Sequence, residues 1–199
     1  MHLPVTLAAA LALAFSSTLG PSLSSALFKP ESRYTELADA TCLPASAEPR
    51  GGARREWIRC PGLGGARILL GMDGDATVLG LEWSARERSD ELVRAASLAP
   101  TLEWRGVRTP SLSFEPHALI VAVSLPEGGS RTGREALAVL RVGKTEACLA
   151  GLIDRAASAD ADAVARRFAD AQASGADCPK RRSIDGLAID RPLDVAPRS

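Results

Sequence analysis

Two glutamates that directly precede tryptophans are the residues of this chain whose types and spacing best suit chemistry. They are Glu82 before Trp83 and Glu103 before Trp104. Paired carboxylates can act as acid and base on a glycosidic bond, and tryptophan rings can stack on sugars. Arginines that follow the second pair could hold an anionic group beside them. The candidate ligand-binding residues are Trp83, Glu103, Trp104, Arg105 and Arg108.

A structural interpretation of the same residues stays open beside this one. Only 4% of the chain is aromatic. A protein with so few large rings needs them in its hydrophobic core, where each buries a large apolar area. The sequence therefore favours core positions for both tryptophans, with the neighbouring charged groups in solvent.

The sequence offers no clear nucleophile, general base, metal site or cofactor motif. Histidine is the commonest general base near pH 7, and His117 is the one histidine beyond the N-terminal segment. No G-x-S-x-G motif accompanies it, because Thr132 replaces the second glycine in "GGSRTG". The glycine-rich "GLGGAR" lacks the third glycine of a dinucleotide loop and precedes a strand-like run. We predict no catalytic residue, no metal and no cofactor.

The segment "RAASADADAVARRFAD" (155–170) predicts a helix with an acidic start. Asp160 and Asp162 would be separated by about 200° of helical rotation, so they could not both face one ion. We expect Ser158 or Asp160 to cap the helix and both acids to complement its dipole. Its apolar stripe consists of Ala161, Val164, Ala165, Phe168 and Ala169, and the side opposite carries Asp162, Arg166 and Asp170.

Residues 1–26 are typical of a secretory signal peptide. Their apolar run is too short for a bilayer, which needs about 20 apolar residues, and small residues around Ala26 resemble a cleavage site. The n-region is atypical because it has no Lys or Arg, and a buried N-terminal helix is the alternative. The first cysteine, Cys42, lies far downstream, so we predict no lipid anchor. The predicted location is periplasmic or secreted.

Four cysteines remain in the predicted mature chain: Cys42, Cys60, Cys148 and Cys178. An even number in an exported chain predicts disulfides, and four cysteines allow three connectivities. We expect the local pairs Cys42–Cys60 and Cys148–Cys178. A zinc site needs closely spaced pairs, whereas the closest two cysteines here are 18 residues apart.

The predicted fold is α+β, a mostly antiparallel sheet with two or three helices on one side, held by two disulfides. Besides 155–170, helices are predicted over 33–42 and 86–100, the latter with Ser89 as its N-cap. Strands are predicted in the segments "REWIRC", "ARILLGM", "TVLGLEW", "TLEWRGV", "ALIVAVSL", "EALAVLRV" and "ACLAGLI". "DGD" predicts a hairpin turn. The domain is predicted to span 27–179, followed by a mobile tail over 180–199.

The order of several short motifs resembles uncharacterised exported proteins of alphaproteobacteria. The motifs are "YTEL" before Cys42, "CPG" at 60–62, "EWR" at 103–105, and "ACLAGLID" leading to "ADAVARRFAD" and Cys178. The resemblance covers about residues 34 to 178. It implies periplasmic residence and paired cysteines, and it transfers no activity and no site residue.

The sequence therefore predicts a small periplasmic binding protein without catalytic activity, with an envelope protein or a cell-wall component as partner. Equal numbers of basic and acidic residues, 24 of each, give no electrostatic reason to expect nucleic acid or an anionic membrane surface. One alternative is a carboxylate-based hydrolase or glycan-binding module at Glu82–Trp83 and Glu103–Arg105. Another is a purely structural envelope protein. The sequence says nothing about oligomeric state.

Overall fold

A computed structural model describes residues 29–38, 40–45, 56–127 and 130–172. These residues form ten strands and one helix. The strands are β1 (Glu31–Glu36), β2 (Leu43–Ala45), β3 (Trp57–Cys60), β4 (Arg67–Asp73), β5 (Ala76–Glu82), β6 (Arg88–Ala95), β7 (Ser97–Arg108), β8 (Phe114–Glu127), β9 (Ser130–Val142) and β10 (Ala147–Asp154). The helix is α1 (Ala161–Gln172).

The strands form two antiparallel sheets of five. Sheet I has the order β1-β7-β8-β9-β10, and sheet II has the order β2-β3-β4-β5-β6. The chain passes from sheet II into sheet I through Ala96 alone, whose N–H donates to the carbonyl of Ser124 at 2.8 Å. Elsewhere the N–H of Ala147 in β10 donates to Ser89 Oγ in β6 at 2.9 Å. Polar contacts therefore join the two sheets at separate points.

The main hydrophobic core lies between the sheets. Because strand side chains alternate between the two faces of a sheet, every second residue enters this core. Sheet II contributes Cys60, Ile68, Leu79, Leu81, Leu92, Val93 and Ala95. Sheet I contributes Leu102, Trp104, Leu119, Val121, Val123, Leu125, Ala136, Ala138, Leu140, Val142, Ala147 and Leu149. The protein is thus a two-sheet sandwich.

The helix α1 covers the outer face of sheet I. Three alanines one turn apart, Ala161, Ala165 and Ala169, are buried there against Ala118, Ile120, Leu137 and Val139. Such small side chains leave room for the helix to lie close to the sheet. Asp160 directly precedes the helix, and its carbonyl accepts the first helical hydrogen bond from the Val164 N–H at 3.0 Å. The helix predicted in this segment is confirmed, and it begins at Ala161, directly after Asp160, one of the two expected caps.

The predicted fold class is wrong. The described part of the chain holds two antiparallel sheets and one helix, rather than one sheet with two or three helices. The helix predicted over 33–42 is contradicted by β1, which pairs with β7 along its whole length. Tyr34, expected on an apolar helical face, is 55% exposed. Pairing with a long neighbouring strand outweighs a weak local helical pattern.

The helix predicted over 86–100 is also wrong, because β6 and the start of β7 occupy this segment. A bulge explains the misleading pattern. Between the pairs Leu79–Val93 and Leu81–Ser89, three residues of β6 lie opposite Gly80, and Glu91 adopts φ 56°. The bulge interrupts the two-residue period of a strand. A Cβ at Gly80 would lie 2.8 Å from the Ser89 carbonyl oxygen, so the bulge needs glycine there.

The strand predictions are confirmed, including two hairpins. Asp73 pairs with Ala76 across a two-residue turn, and Gly74 has φ 60°. A positive φ at the first turn residue suits glycine and matches the twist of the flanking strands. Val142 pairs with Ala147 across the predicted "GKTE" turn.

The disulfide Cys42–Cys60 is present as predicted. It joins the start of β2 to the end of β3, at the edge of sheet II. Two complete disulfides were predicted, and the described residues contain this one. Cys148 is disulfide-bonded as well, but its expected partner, Cys178, lies outside the described residues. The predicted signal peptide over 1–26 and the tail over 180–199 also lie outside them.

Candidate functional site

The alternation along β7 separates the candidate residues of its "LEWR" stretch. Leu102 and Trp104 point into the core between the sheets, and both are fully buried. The Trp104 indole Nε1 donates to Thr35 Oγ1 at 3.0 Å. Glu103 and Arg105 therefore point to the outer face of sheet I. The Trp104 ring is not exposed for stacking on a sugar.

The two glutamate–tryptophan pairs do not come together. Leu81 points into the core, so its neighbour Glu82 points to the outer face of sheet II. Trp83 is partly buried and packs against the core between the sheets. Glu82 and Glu103 consequently lie on opposite outer faces of the sandwich. They cannot act as acid and base on the same bond.

A cluster of charged residues, here called the helix clasp, links α1 to β1, β7 and β8. Its members are Ser32, Glu103, Arg105, His117, Arg166 and Asp170. Within it, Arg105 Nε and NH2 donate to the two carboxylate oxygens of Asp170 at 3.0 and 2.6 Å. Arg105 NH1 donates to Ser32 Oγ at 2.7 Å. A forked pair of this kind fixes both position and orientation.

The second half of the helix clasp repeats this geometry. Arg166 Nε and NH2 donate to the two oxygens of Glu103 at 2.7 and 3.1 Å. Ser32 also donates a short hydrogen bond to Glu103. The hydrogen bonding and charge of Glu103 raise the pKa of Arg166. Each carboxylate of the clasp is thus matched by one guanidinium, and the helix is held to the edge of sheet I.

His117 joins the helix clasp through Asp170, with 3.3 Å between His117 Nε2 and Asp170 Oδ1. Burial lowers the pKa of His117, the hydrogen bond and charge of Asp170 partly offset this, and the charge of Arg105 lowers it further. The imidazole is therefore mostly neutral at pH 7. The hydroxyl of the clasp, Ser32, is bonded to Glu103 and Arg105, so the described contacts do not form a Ser-His-Asp relay.

Arg108, the last candidate from sequence, lies at the end of β7. Its NH2 donates to Glu31 Oε1 at 3.3 Å, and its side chain is 46% exposed. It does not contact the helix clasp. Of the five candidate residues, the structure therefore brings together only Glu103 and Arg105.

A second charged cluster, here called the arginine face, lies on the outer face of sheet II. Its members are Trp57, Arg59, Arg67, Glu82 and Arg88. Glu82 is almost completely buried, and Arg67 and Arg88 flank it directly in register. Arg59 Nε and NH2 donate to its two oxygens at 2.5 and 3.1 Å. Arg67 Nε lies 3.2 Å from the same Oε2 that Arg59 Nε contacts.

These arginines decide the charge state of Glu82. Burial alone would raise the pKa of Glu82, but the hydrogen bond from Arg59 and the charges of Arg59, Arg67 and Arg88 outweigh it and lower the pKa. The Arg59 pKa is raised in return, chiefly by its hydrogen bond to Glu82. Glu82 is an ionised structural carboxylate at neutral pH and a poor proton donor.

Arg88 covers the apolar part of the arginine face. Its guanidinium carbon lies 5.5 Å from the centre of a Trp57 ring, and its Nε donates to Asp90 at 2.6 Å. Beneath, Trp57, Leu69 and Val78 form a small buried cluster. Arginine stems can cover apolar surface while the charged end reaches water. Sheet II thus has arginine side chains over its outer face where sheet I has a helix.

Sequence reasoning missed most members of both clusters. Arg166 and Asp170 were expected on the side of α1 away from its apolar stripe, yet both bond to sheet I, Arg166 to Glu103 and Asp170 to Arg105. Arg59 was placed correctly on the same strand face as Trp57. Its partner Glu82 comes from β5, and the strand sequences alone do not show which strands are neighbours.

No group of three or more potential metal ligands occurs among the described residues. Within the same part of the chain, no helix is long and apolar enough to cross a membrane. In the described residues, the fold is an antiparallel β-sandwich with one helix on the outer face of sheet I and a charged cluster on each of the two outer faces. No family model, curated protein or solved structure matches the chain.

Proposed function

We propose that this chain is a small periplasmic or secreted binding protein without catalytic activity, whose partner is an envelope protein or a cell-wall component. The observation that carries the proposal is the state of its buried and half-buried carboxylates. Glu82, Glu103 and Asp170 each receive a forked pair of hydrogen bonds from an arginine. A carboxylate whose two oxygens both accept hydrogen bonds from one guanidinium is fixed in position, so these groups orient and stabilise neighbouring elements.

The disulfide Cys42–Cys60 supports the location, because disulfides persist in oxidising compartments and are rare in the cytosol of mesophiles. A direct measurement is the mass of the natively produced protein. We expect loss of a leader ending near Ala26 and no free thiols. An intact leader with four free thiols would contradict the proposed location.

Binding without catalysis is tested by incubating the mature, oxidised protein with purified cell-wall sacculi and, separately, with an envelope extract containing a cross-linker. We expect saturable retention in one arm and no release of soluble sugar or peptide fragments. Fragment release that disappears in Glu103→Gln would instead support the hydrolase alternative. Absence of saturable retention in both arms would contradict the binding proposal and favour a structural role.

A further inference from the structure

We propose that Arg59 and Arg67 form a binding site for one oxyanion group, a carboxylate or a phosphate, carried by the ligand of this protein. The inference rests on the proposed binding function and names the chemistry that its ligand presents. It assigns the site to the outer face of sheet II, within the arginine face.

The arginine face carries a surplus of positive charge. The three arginines of the arginine face are accompanied by two close carboxylates, because Asp90 pairs with Arg88 and Glu82 pairs with Arg59. Arg67 contacts only the Glu82 oxygen that already accepts a hydrogen bond from Arg59. Among the described residues, one positive charge therefore remains without a carboxylate of its own. An excess of positive charge on a surface raises the local concentration of anions.

Arg67 and Arg59 also have side-chain N–H groups that are not used on Glu82. Arg67 approaches Glu82 only as an ion pair at 3.2 Å, and it donates no hydrogen bond to any residue in the described ranges. A guanidinium has five N–H donors in a fixed plane, and two of them match the two oxygens of a carboxylate or phosphate. The NH1 group of Arg59 is likewise not used on Glu82.

The guanidinium groups of Arg59 and Arg67 lie close together and are open to solvent. The Nε atoms of Arg59 and Arg67 contact the same Glu82 oxygen, so the two guanidinium groups lie side by side. Their side chains are 34% and 45% exposed, whereas the Arg88 side chain is 11% exposed. Solvent therefore reaches the first two arginines, and an anion can contact both at once.

Glu82 holds the side chains of Arg59 and Arg67 in fixed positions. Glu82 is held in β5 between β4 and β6, and it anchors both arginines from below. Side chains that are already positioned lose less conformational entropy when a ligand binds. The buried carboxylate thus has a role in binding without contacting the ligand. It acts as a positioning residue for the two guanidinium groups.

The test is a titration of ¹⁵N-labelled protein with sodium phosphate and, separately, with sodium acetate, at constant ionic strength. The readout is the movement of the arginine Nε–Hε signals in NMR spectra. We expect the Arg59 and Arg67 signals to move saturably with at least one of the two anions. The dissociation constant should be on the order of millimolar for a single small anion.

Arg67→Gln should weaken this binding about tenfold, because it removes a charged, forked donor. Arg33→Gln is the matched control, since the Arg33 side chain is 43% exposed and lies in β1 of sheet I, and this variant should bind as the wild type does. Amide spectra of both variants verify folding. Saturation by phosphate alone indicates a phosphate-bearing ligand, by acetate alone a carboxylate-bearing one, and by both a general oxyanion site.

The site is refuted if neither anion moves these signals saturably, or if Arg67→Gln and Arg33→Gln bind equally well. Retention of the protein on sacculi or on an envelope partner would survive that result, so the site would fail while the binding function stands. If the protein binds the anion but is retained in neither arm, the anion site stands and the proposed binding function fails.

Discussion

Replacing Asp170 by Asn tests whether the helix clasp holds α1 on sheet I. The substitution preserves shape and removes the charge that Arg105 faces. The two side chains are 27% and 10% exposed. Breaking a fully buried pair costs about 3–5 kcal/mol, and an exposed pair contributes about 0–1 kcal/mol. Because this pair lies between these cases and Arg105 keeps its bond to Ser32, we expect a loss of about 2–3 kcal/mol.

The assay is urea unfolding of the oxidised protein, with the free energy of unfolding taken by linear extrapolation. A double-mutant cycle with Arg105→Gln isolates the pair. We expect a coupling energy of at least about 1 kcal/mol, since residues that share a charged hydrogen-bond network are coupled. The slope of the unfolding free energy against urea should stay constant if the helix remains docked in the folded variants.

Arg108→Gln provides the comparison for this stability experiment. The Arg108–Glu31 pair has an N···O distance of 3.3 Å, and its side chains are 46% and 35% exposed. Its loss should cost no more than about 0.5 kcal/mol. If Asp170→Asn costs no more than Arg108→Gln, or if the cycle gives no coupling, the clasp does not stabilise the helix and the reasoning is refuted.

Three further predictions concern the sheets, the disulfide and the helix contact. Glu82→Gln should lower stability by about 1–2 kcal/mol at pH 7, discounted for exposed partners. Because the folded pKa of Glu82 is lowered, its ionised form stabilises the protein above the unfolded pKa, about 4.3, and this contribution is lost as the pH falls through the folded pKa. Urea unfolding of wild type and variant from pH 7 to 3 should therefore show a gap that narrows at low pH, and a gap independent of pH would contradict this. The double variant Cys42→Ala, Cys60→Ala opens a disulfide with a sequence separation of 18 and should lose about 3 kcal/mol in the loop-entropy account, measured in the same assay; no loss would contradict it. Ala165→Leu should cost about 1–3 kcal/mol through overpacking, whereas Arg167→Leu on the exposed side of the helix should change stability little. Thermal unfolding of both variants is the measurement, and equal effects would refute the close helix contact.

The sequence was most informative where side-chain alternation is uninterrupted. The "ALIVAVSL" segment predicts a strand with Leu119, Val121, Val123 and Leu125 on one face, and in β8 these four residues are buried in the core between the sheets. The turn at Gly74 was equally visible, since a two-residue turn needs a residue that tolerates positive φ. Local chemistry decides both features.

The sequence misled where tertiary pairing outweighs local pattern. The helix predicted over 86–100 relied on Ser89 as an N-cap, whereas the bulge opposite Gly80 keeps this segment in a strand and places Leu92 and Val93 both in the core. β1 has only exposed and half-buried positions, so its strand state depends on hydrogen bonds to β7. Errors of this kind turned a two-sheet sandwich into an expected α+β fold.

The candidate site was harder to predict because its members come from separate strands. Glu103 and Arg105 were correctly expected to be near each other, yet their partners Arg166 and Asp170 lie 63 and 65 residues further along the chain. Charge pairing across such distances depends on which strands and helices are neighbours. That order follows from the packing of the whole chain.

The two clusters differ in one respect that bears on where a ligand would bind. In the helix clasp, each of the two arginines has a carboxylate of its own, and the forked pairs use the donors that face inward. An added anion would have to displace one of these carboxylates. On the arginine face, Arg67 shares the carboxylate that Arg59 already occupies. An anion that binds there can pair with Arg67 without displacing a carboxylate. For that reason we propose that the ligand binds on sheet II, whereas the charged cluster on sheet I attaches the helix.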